Sequence, residues 1–193
     1  MFSRIVFLFR LSKANQIARR YFVTNGFDGV LAILGLLMGF RFSGAESNQI
    51  MLSACLGTTI ALFMSGITSA YISESAEKKR ELNALEQSMI KSLDDSSHAD
   101  AARLAPWYVA LVNGISPLTF SLIILIPLFA ANSNVTIFFS PLDDALIIAM
   151  ALVFFLGVFL GKLSGQFWLW TGIRAVIVAV FTVLIILLVS YFQ

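Results

Sequence analysis

The chain has 193 residues and a formal net charge of +2, with 59% hydrophobic and only 12% charged residues, and its mean hydropathy is +0.88. A soluble domain carries about 25% charge and a disordered chain needs low hydrophobicity, so both classes are excluded. The single cysteine (Cys55) and single histidine (His98) exclude a disulfide framework, a multi-cysteine metal site and any chemistry that needs two histidines, and the small net charge excludes nucleic acid as a partner.

An all-α, polytopic membrane protein with five transmembrane helices is what remains. Residues 1–20 read as a basic cytoplasmic segment. They hold Arg4, Arg10, Lys13, Arg19 and Arg20, and no acid precedes Asp28. The charges interrupt any signal-peptide core and no small-residue cleavage site follows. The segment is either an interfacial helix on anionic headgroups or a plain positive flank. About 20 apolar residues cross the hydrocarbon layer. The spans are expected from Tyr21 to Phe40, Ile50 to about Ser73, Trp107 to Ala130, about Asp143 to Leu163, and about Thr171 to Phe192. Residues 21–73 thus hold the first two spans, 74–105 a cytoplasmic acidic helix and loop, and 106–193 the last three spans. Of the 13 basic residues, all but Arg41 fall on the side of the N-terminus, which puts that side in the cytoplasm.

Charge at membrane depth is costly and marks function. In the first span the candidate is Asp28, with Asn25 one turn before it and Ala32, Gly35 and Gly39 on the same helical face. Small residues mark helix contact, and Gly35/Gly39 is a GxxxG pair, so Asp28 is expected to face the bundle interior. It either binds a cation or proton there or ties helices together by hydrogen bonding. The second span offers Thr58, Thr59, Met64, Ser65, Thr68, Ser69 and Tyr71. These form a packing seam, or a lining of hydroxyls with one soft thioether, Met64, for a metal. It runs on without a breaker into Glu74, Glu77 and Glu81, which share a face and form either an acidic ladder that gathers cations or a solvated helix surface. Asp94, Asp95, His98 and Asp100 follow in an exposed loop. In the third span Pro117 cannot donate to the carbonyl near Asn113, which leaves an oxygen ligand beside an amide or a simple kink. Gly157, Gly161 and Gly165 form a close-contact ridge for a neighbouring span or a second subunit.

An enzyme is not expected. An intramembrane aspartyl protease needs two membrane aspartates, and only Asp28 lies inside a span. A rhomboid-like protease needs a membrane histidine, and Phe63-Met64 before Ser65-Gly66 breaks its Gly-x-Ser-Gly pattern. After Asp28-Gly29, the CDP-alcohol phosphotransferase motif does not continue.

Several short motifs together resemble the vacuolar iron transporter family, in a short-loop prokaryotic branch. They are Phe27-Asp28-Gly29-Val30-Leu31 with Gly35 and Gly39; Met64-Ser65-Gly66 followed by Ala70-Tyr71 and by Glu74 and Glu77; Pro106-Trp107; Ser116-Pro117; and the five-span plan. The resemblance covers roughly residues 20–190. It implies a homodimer that moves Fe²⁺ or Mn²⁺ out of the cytosol by proton antiport, with the first two spans lining the path. Divalent metal ions and protons are then its partners, with the metal as substrate and no resident cofactor. On this reading Asp28 is the central ligand and proton carrier, Met64 and Asn113 are auxiliary ligands, and Glu74, Glu77 and Glu81 collect the metal. The chain departs from the family in two places. Thr58 or Thr59 stands where other members carry an acid, and the cytoplasmic metal-binding domain is reduced to about thirty residues. The alternative is a membrane scaffold that keeps the fold without transport.

Overall fold

The computed structural model describes residues 7–9, 11–44, 47–131 and 138–192. Arg4, Arg10 and Gln193 lie outside the described residues. Five long helices follow one another: α1 (Ala14–Ser43), α2 (Asn48–Met89), α3 (Ser97–Ala131), α4 (Pro141–Leu163) and α5 (Trp168–Tyr191). All five are long and apolar enough to cross a membrane, and no strand occurs among the described residues. The chain is thus an all-helical, multi-pass integral membrane protein. Its large apolar side chains lie on the outside, among them Ile126, Phe155, Ile177 and Phe181, as they do where lipid replaces water.

The helix ends follow from local chemistry. Gly44 (φ +65°) and Gly165 (φ +69°) take the left-handed conformation that ends α1 and α4. Lys13 (φ 55°) takes it before α1, and its carbonyl accepts from the Gln16 and Ile17 amides. At the start of α4 the Asp143 amide donates to Ser140 Oγ at 3.1 Å, and Pro141 fills the first helical position, where no amide is needed. The Ser140 hydroxyl returns a bond to Asp143 Oδ2 at 2.6 Å. Buried Asp144 accepts from the Phe138 and Phe139 amides, each at 3.1 Å. Helix α3 runs unbroken through Pro106, Pro117 and Pro127. Each of these prolines removes one helical hydrogen bond, a loss that neighbouring helices can absorb in a membrane.

The chain forms two compact units. One comprises the chain through Phe22 with Phe63–Ile115, and the other comprises Val23–Leu62 with Ser116–Gln193. The first unit has a small core of Ala14, Ala18, Ala105 and Val109. Its α2–α3 seam is close, because Gly66 and Gly114 are buried and a Cβ on Gly114 would lie 2.8 Å from the Phe63 carbonyl. The second unit has the larger core, built on Val30, Ile33, Leu34 and Leu37 of α1, Cys55 of α2, Ile124, Leu125 and Leu128 of α3, and Ala149 and Val153 of α4. Here α1 meets α3 through Gly26 and Gly29; a Cβ on Gly29 would stand 2.6 Å from Pro117 Cβ. Arg41 bonds Asp143 at 2.7 Å, and Asn48 Nδ2 donates to the Leu128 carbonyl at 2.9 Å.

The glycine ridge of α4 works inside the chain. A Cβ on Gly157 would meet Ala175 Cβ at 2.6 Å and the Gly172 backbone at 2.9 Å, and Gly161 lies against Trp168 and Thr171. Gly165 is not part of the ridge. It lies beyond the end of α4 with open space around it.

Candidate functional site

Asp28 lies fourteen residues from the first and fifteen from the last residue of α1. Counted from Tyr21, where the apolar span is expected to begin, it stands roughly 10 Å into the membrane layer at 1.5 Å per residue. The expectation that it faces the interior of its own bundle is corrected by the structure. Val30, Ile33, Leu34 and Leu37 are buried, whereas Asp28 and Thr24 are exposed, Asn25, Ala32 and Gly35 are half-buried, and Gly39 has nothing within 4 Å of a Cβ placed on it. The reason is that α1 carries two glycine faces. Gly26 and Gly29 admit the Phe120 ring and Pro117 and lie on the same side as the large apolar residues. That face therefore buries more apolar area than the Gly35/Gly39 face. Among the described residues the Asp28 carboxylate takes part in no hydrogen bond or ion pair.

Met64 is 54% exposed on α2. Thr58 and Thr59, by contrast, bond back to the carbonyls of Ala54 (3.0 Å) and Cys55 (2.8 Å) in their own helix. These hydroxyls serve the helix. Asn113 is buried, and its Nδ2 donates to the Gly66 carbonyl at 2.8 Å. Its side chain is a fixed link between α3 and α2, with the amide nitrogen already in use.

The three glutamates do not form a continuous ladder. Glu74 is buried and hydrogen-bonded to the Tyr21 hydroxyl. Glu77 is exposed. Glu81 is held by Lys78 at 2.7 Å, and that lysine is itself buried. The spacing that suggested one face is compatible with this split, because a helix turn puts Glu74 toward α1 while Glu77 lies 60° round the axis. Glu81 also lines a cleft of about 380 Å³ with Lys13, Lys78 and His98. Among the described residues no three His, Cys, Asp or Glu side chains come together as a metal site.

Sequence reasoning missed three polar arrangements: the Arg41–Asp143 pair, the Asp144 anchor, and the Glu86 carboxylate that accepts from the Leu93 amide at 2.8 Å just past the end of α2. Ser140-Pro141 with Asp143 is a capping signature that could have revealed the start of α4. The other contacts link residues that have no periodic relation.

The sequence is 31% identical over 160 residues to the uncharacterized protein MJ0645 of Methanocaldococcus jannaschii, an alignment covering 81% of this chain and 80% of that protein. The chain belongs to the MJ0645 family. No protein-family model and no solved structure matches it. In this member of the MJ0645 family, the acid or base placed well inside a span, among the described residues, is Asp28. Asp143, Asp144, Lys162 and Arg174 all lie near helix ends.

Proposed function

We propose that the chain is a divalent-metal transporter of the vacuolar iron transporter type, which carries Fe²⁺ or Mn²⁺ out of the cytosol in exchange for protons. One observation carries this reading: a carboxylate within the apolar run of α1, on a small-residue face, with no cation beside it among the described residues. A charge inside the hydrocarbon layer is costly, by about 3 kcal/mol at its centre and less toward its edges. A residue kept there needs a mobile cation or proton. An open face next to acyl chains is not tenable for such a group, so the part of the stripe that α5 leaves uncovered, with Asp28 and Gly39 exposed and Gly35 partly covered by Ile186, packs on the same stripe of a second copy. The transporter is then a homodimer with its path along the paired α1 helices. The resemblance adds Met64 as a thioether donor, a soft ligand that suits Fe²⁺ or Mn²⁺ better than Mg²⁺. Asn113 is a structural link in this reading, and Glu77 is the glutamate left open to cytosolic metal. The basic residues on the N-terminal side put that side in the cytoplasm, with the plasma membrane as the location.

The experiment is uptake of Mn²⁺ and Fe²⁺ into proteoliposomes under a pH gradient. Asp28→Asn is expected to abolish flux while leaving the melting temperature near that of the wild type, since Asp28 has no bond to lose. Normal flux in that variant removes Asp28 from the mechanism.

A second reading, a scaffold that keeps the fold without transport, is favoured by Thr58 and Thr59, whose hydroxyls turn back on their own helix where a second carboxylate would be needed. Metal-dependent stabilisation separates the two. A metal at 100 times its Kd adds about 2.7 kcal/mol to the folded state. The transporter gains such a shift with Mn²⁺ or Fe²⁺, and the scaffold gains none.

A further inference from the structure

Beside α2 and α3, within the first unit, lies a cleft of about 400 Å³ lined by Tyr71, Ser75 and Lys79 of α2 and by Arg103, Pro106 and Trp107 of α3. It differs in charge from two other clefts of that unit. Those of about 380 and 350 Å³ both include the Lys78–Glu81 pair, whereas this one is lined by two cations and no acid. Lys79 and Arg103 are exposed, and among the described residues neither is in an ion pair. An anion entering here displaces no resident carboxylate.

The polarity of the cleft is ordered along the helices. Trp107 opens the apolar run of α3, and Tyr71 lies near the end of the apolar run of α2. Their rings pack at 4.4 Å with 42° between planes. Paired tyrosine and tryptophan at the ends of apolar runs belong at the membrane–water boundary. On the watery side of this pair, Arg103 stands one turn before Trp107 and Lys79 about two turns after Tyr71. On the membrane side, α3 exposes Trp107, Leu111 and Ile115 at 54%, 48% and 43%, spaced four residues apart on one face. The cleft therefore has cations above, hydroxyls and aromatic rings at the boundary, and an apolar track below.

We infer that this cleft holds the headgroup of an anionic phospholipid. Its phosphodiester lies between the Lys79 ammonium and the Arg103 guanidinium, with the Tyr71 and Ser75 hydroxyls as further donors, and its acyl chains follow the Trp107–Leu111–Ile115 face. Basic pockets between transmembrane helices are the usual receptors for such headgroups. A small soluble phosphate would be served by the cations alone. The aromatic floor and the apolar track are what assign the site to a lipid. The assignment is independent of whether the chain moves metal.

The test uses the full chain, delipidated in an uncharged detergent. Phosphatidylglycerol, phosphatidylcholine and glycerol 3-phosphate are the probes, and retained ligand in native mass spectrometry and melting temperature are the readouts. Phosphatidylglycerol is expected to be retained and to raise the melting temperature, with little effect from phosphatidylcholine. Each basic contact near the surface is worth roughly fivefold, so Lys79→Gln with Arg103→Gln is expected to weaken retention roughly thirtyfold. Both side chains are exposed, and the variant's melting temperature without lipid reports its fold. The charge-preserving Lys79→Arg variant keeps the binding. Arg80→Gln with Lys91→Gln, which removes two exposed cations outside the cleft, leaves it unchanged. Equal retention of phosphatidylcholine, an equal shift with glycerol 3-phosphate, or equal losses in the two double variants overturns the assignment.

Discussion

Asp28 and Gly29 are adjacent in sequence and face opposite demands. Gly29 is buried against Pro117, where a Cβ would stand 2.6 Å from one carbon and 2.8 Å from the proline Cα. Gly29→Ala is therefore expected to destabilise the fold by about 1–3 kcal/mol, the usual range for overpacking, read as a lower melting temperature in detergent. Gly57→Ala on α2 meets open space and is expected not to lower that temperature. The motif around Asp28 was legible from sequence, but its orientation was not. Helical periodicity shows which residues share a face and is silent on which of two glycine faces a neighbouring helix will take. The larger apolar side chains beside Gly26 and Gly29 decided that choice. Glu74 has the same lesson in it. Its spacing to Glu77 and Glu81 was correct, but the Tyr21 hydroxyl and the buried Lys78 divide the three in a way no spacing reveals.

At the level of elements, the apolar runs placed each of the five helices to within a few residues at one end or both. Helix α4 was expected from about Asp143 and begins at Pro141; α5 was expected from about Thr171 and begins at Trp168. The miss was larger where polar residues continue a helix. α1 begins at Ala14 rather than Tyr21, and α3 at Ser97 rather than Trp107, because hydropathy marks the membrane and not the end of hydrogen bonding. The α4–α5 pair depends on its glycines. Gly157→Leu is expected to force the helices apart at Ala175 and Gly172, at a cost of about 1–3 kcal/mol or more, visible as loss of the cooperative melt. At the other end of α4, Asp144→Ala leaves the Phe138 and Phe139 amides without their acceptor. A fall of roughly 1–3 kcal/mol in stability is expected, measurable by the same melt, with the Ser140 cap still in place.

For the whole molecule, the decisive feature is how much of its surface a lone chain leaves uncovered. Only 11% of the most apolar window of α5 is buried, and its Ile177, Phe181 and Leu188 suit acyl chains. The α1 stripe around Asp28 does not, since it joins small residues to a carboxylate. A second copy on that stripe is tested by disulfide trapping. In a Cys55→Ala background, Gly39→Cys is expected to form a covalent dimer in membranes under mild oxidation, and Phe181→Cys is not. The reverse pattern places the contact on α5 and leaves Asp28 facing lipid, which removes the shared path.

Helix α2 also has a mechanical consequence. Within the first unit, its residues 63–89 run without a proline from Met64 into the charged turns, roughly 40 Å of helix at 1.5 Å per residue. A rod without a joint transmits torque. A tilt at the depth of Met64 is carried along the helix toward Gln87, so a spin label there is a remote pointer to movements taking place inside the bilayer.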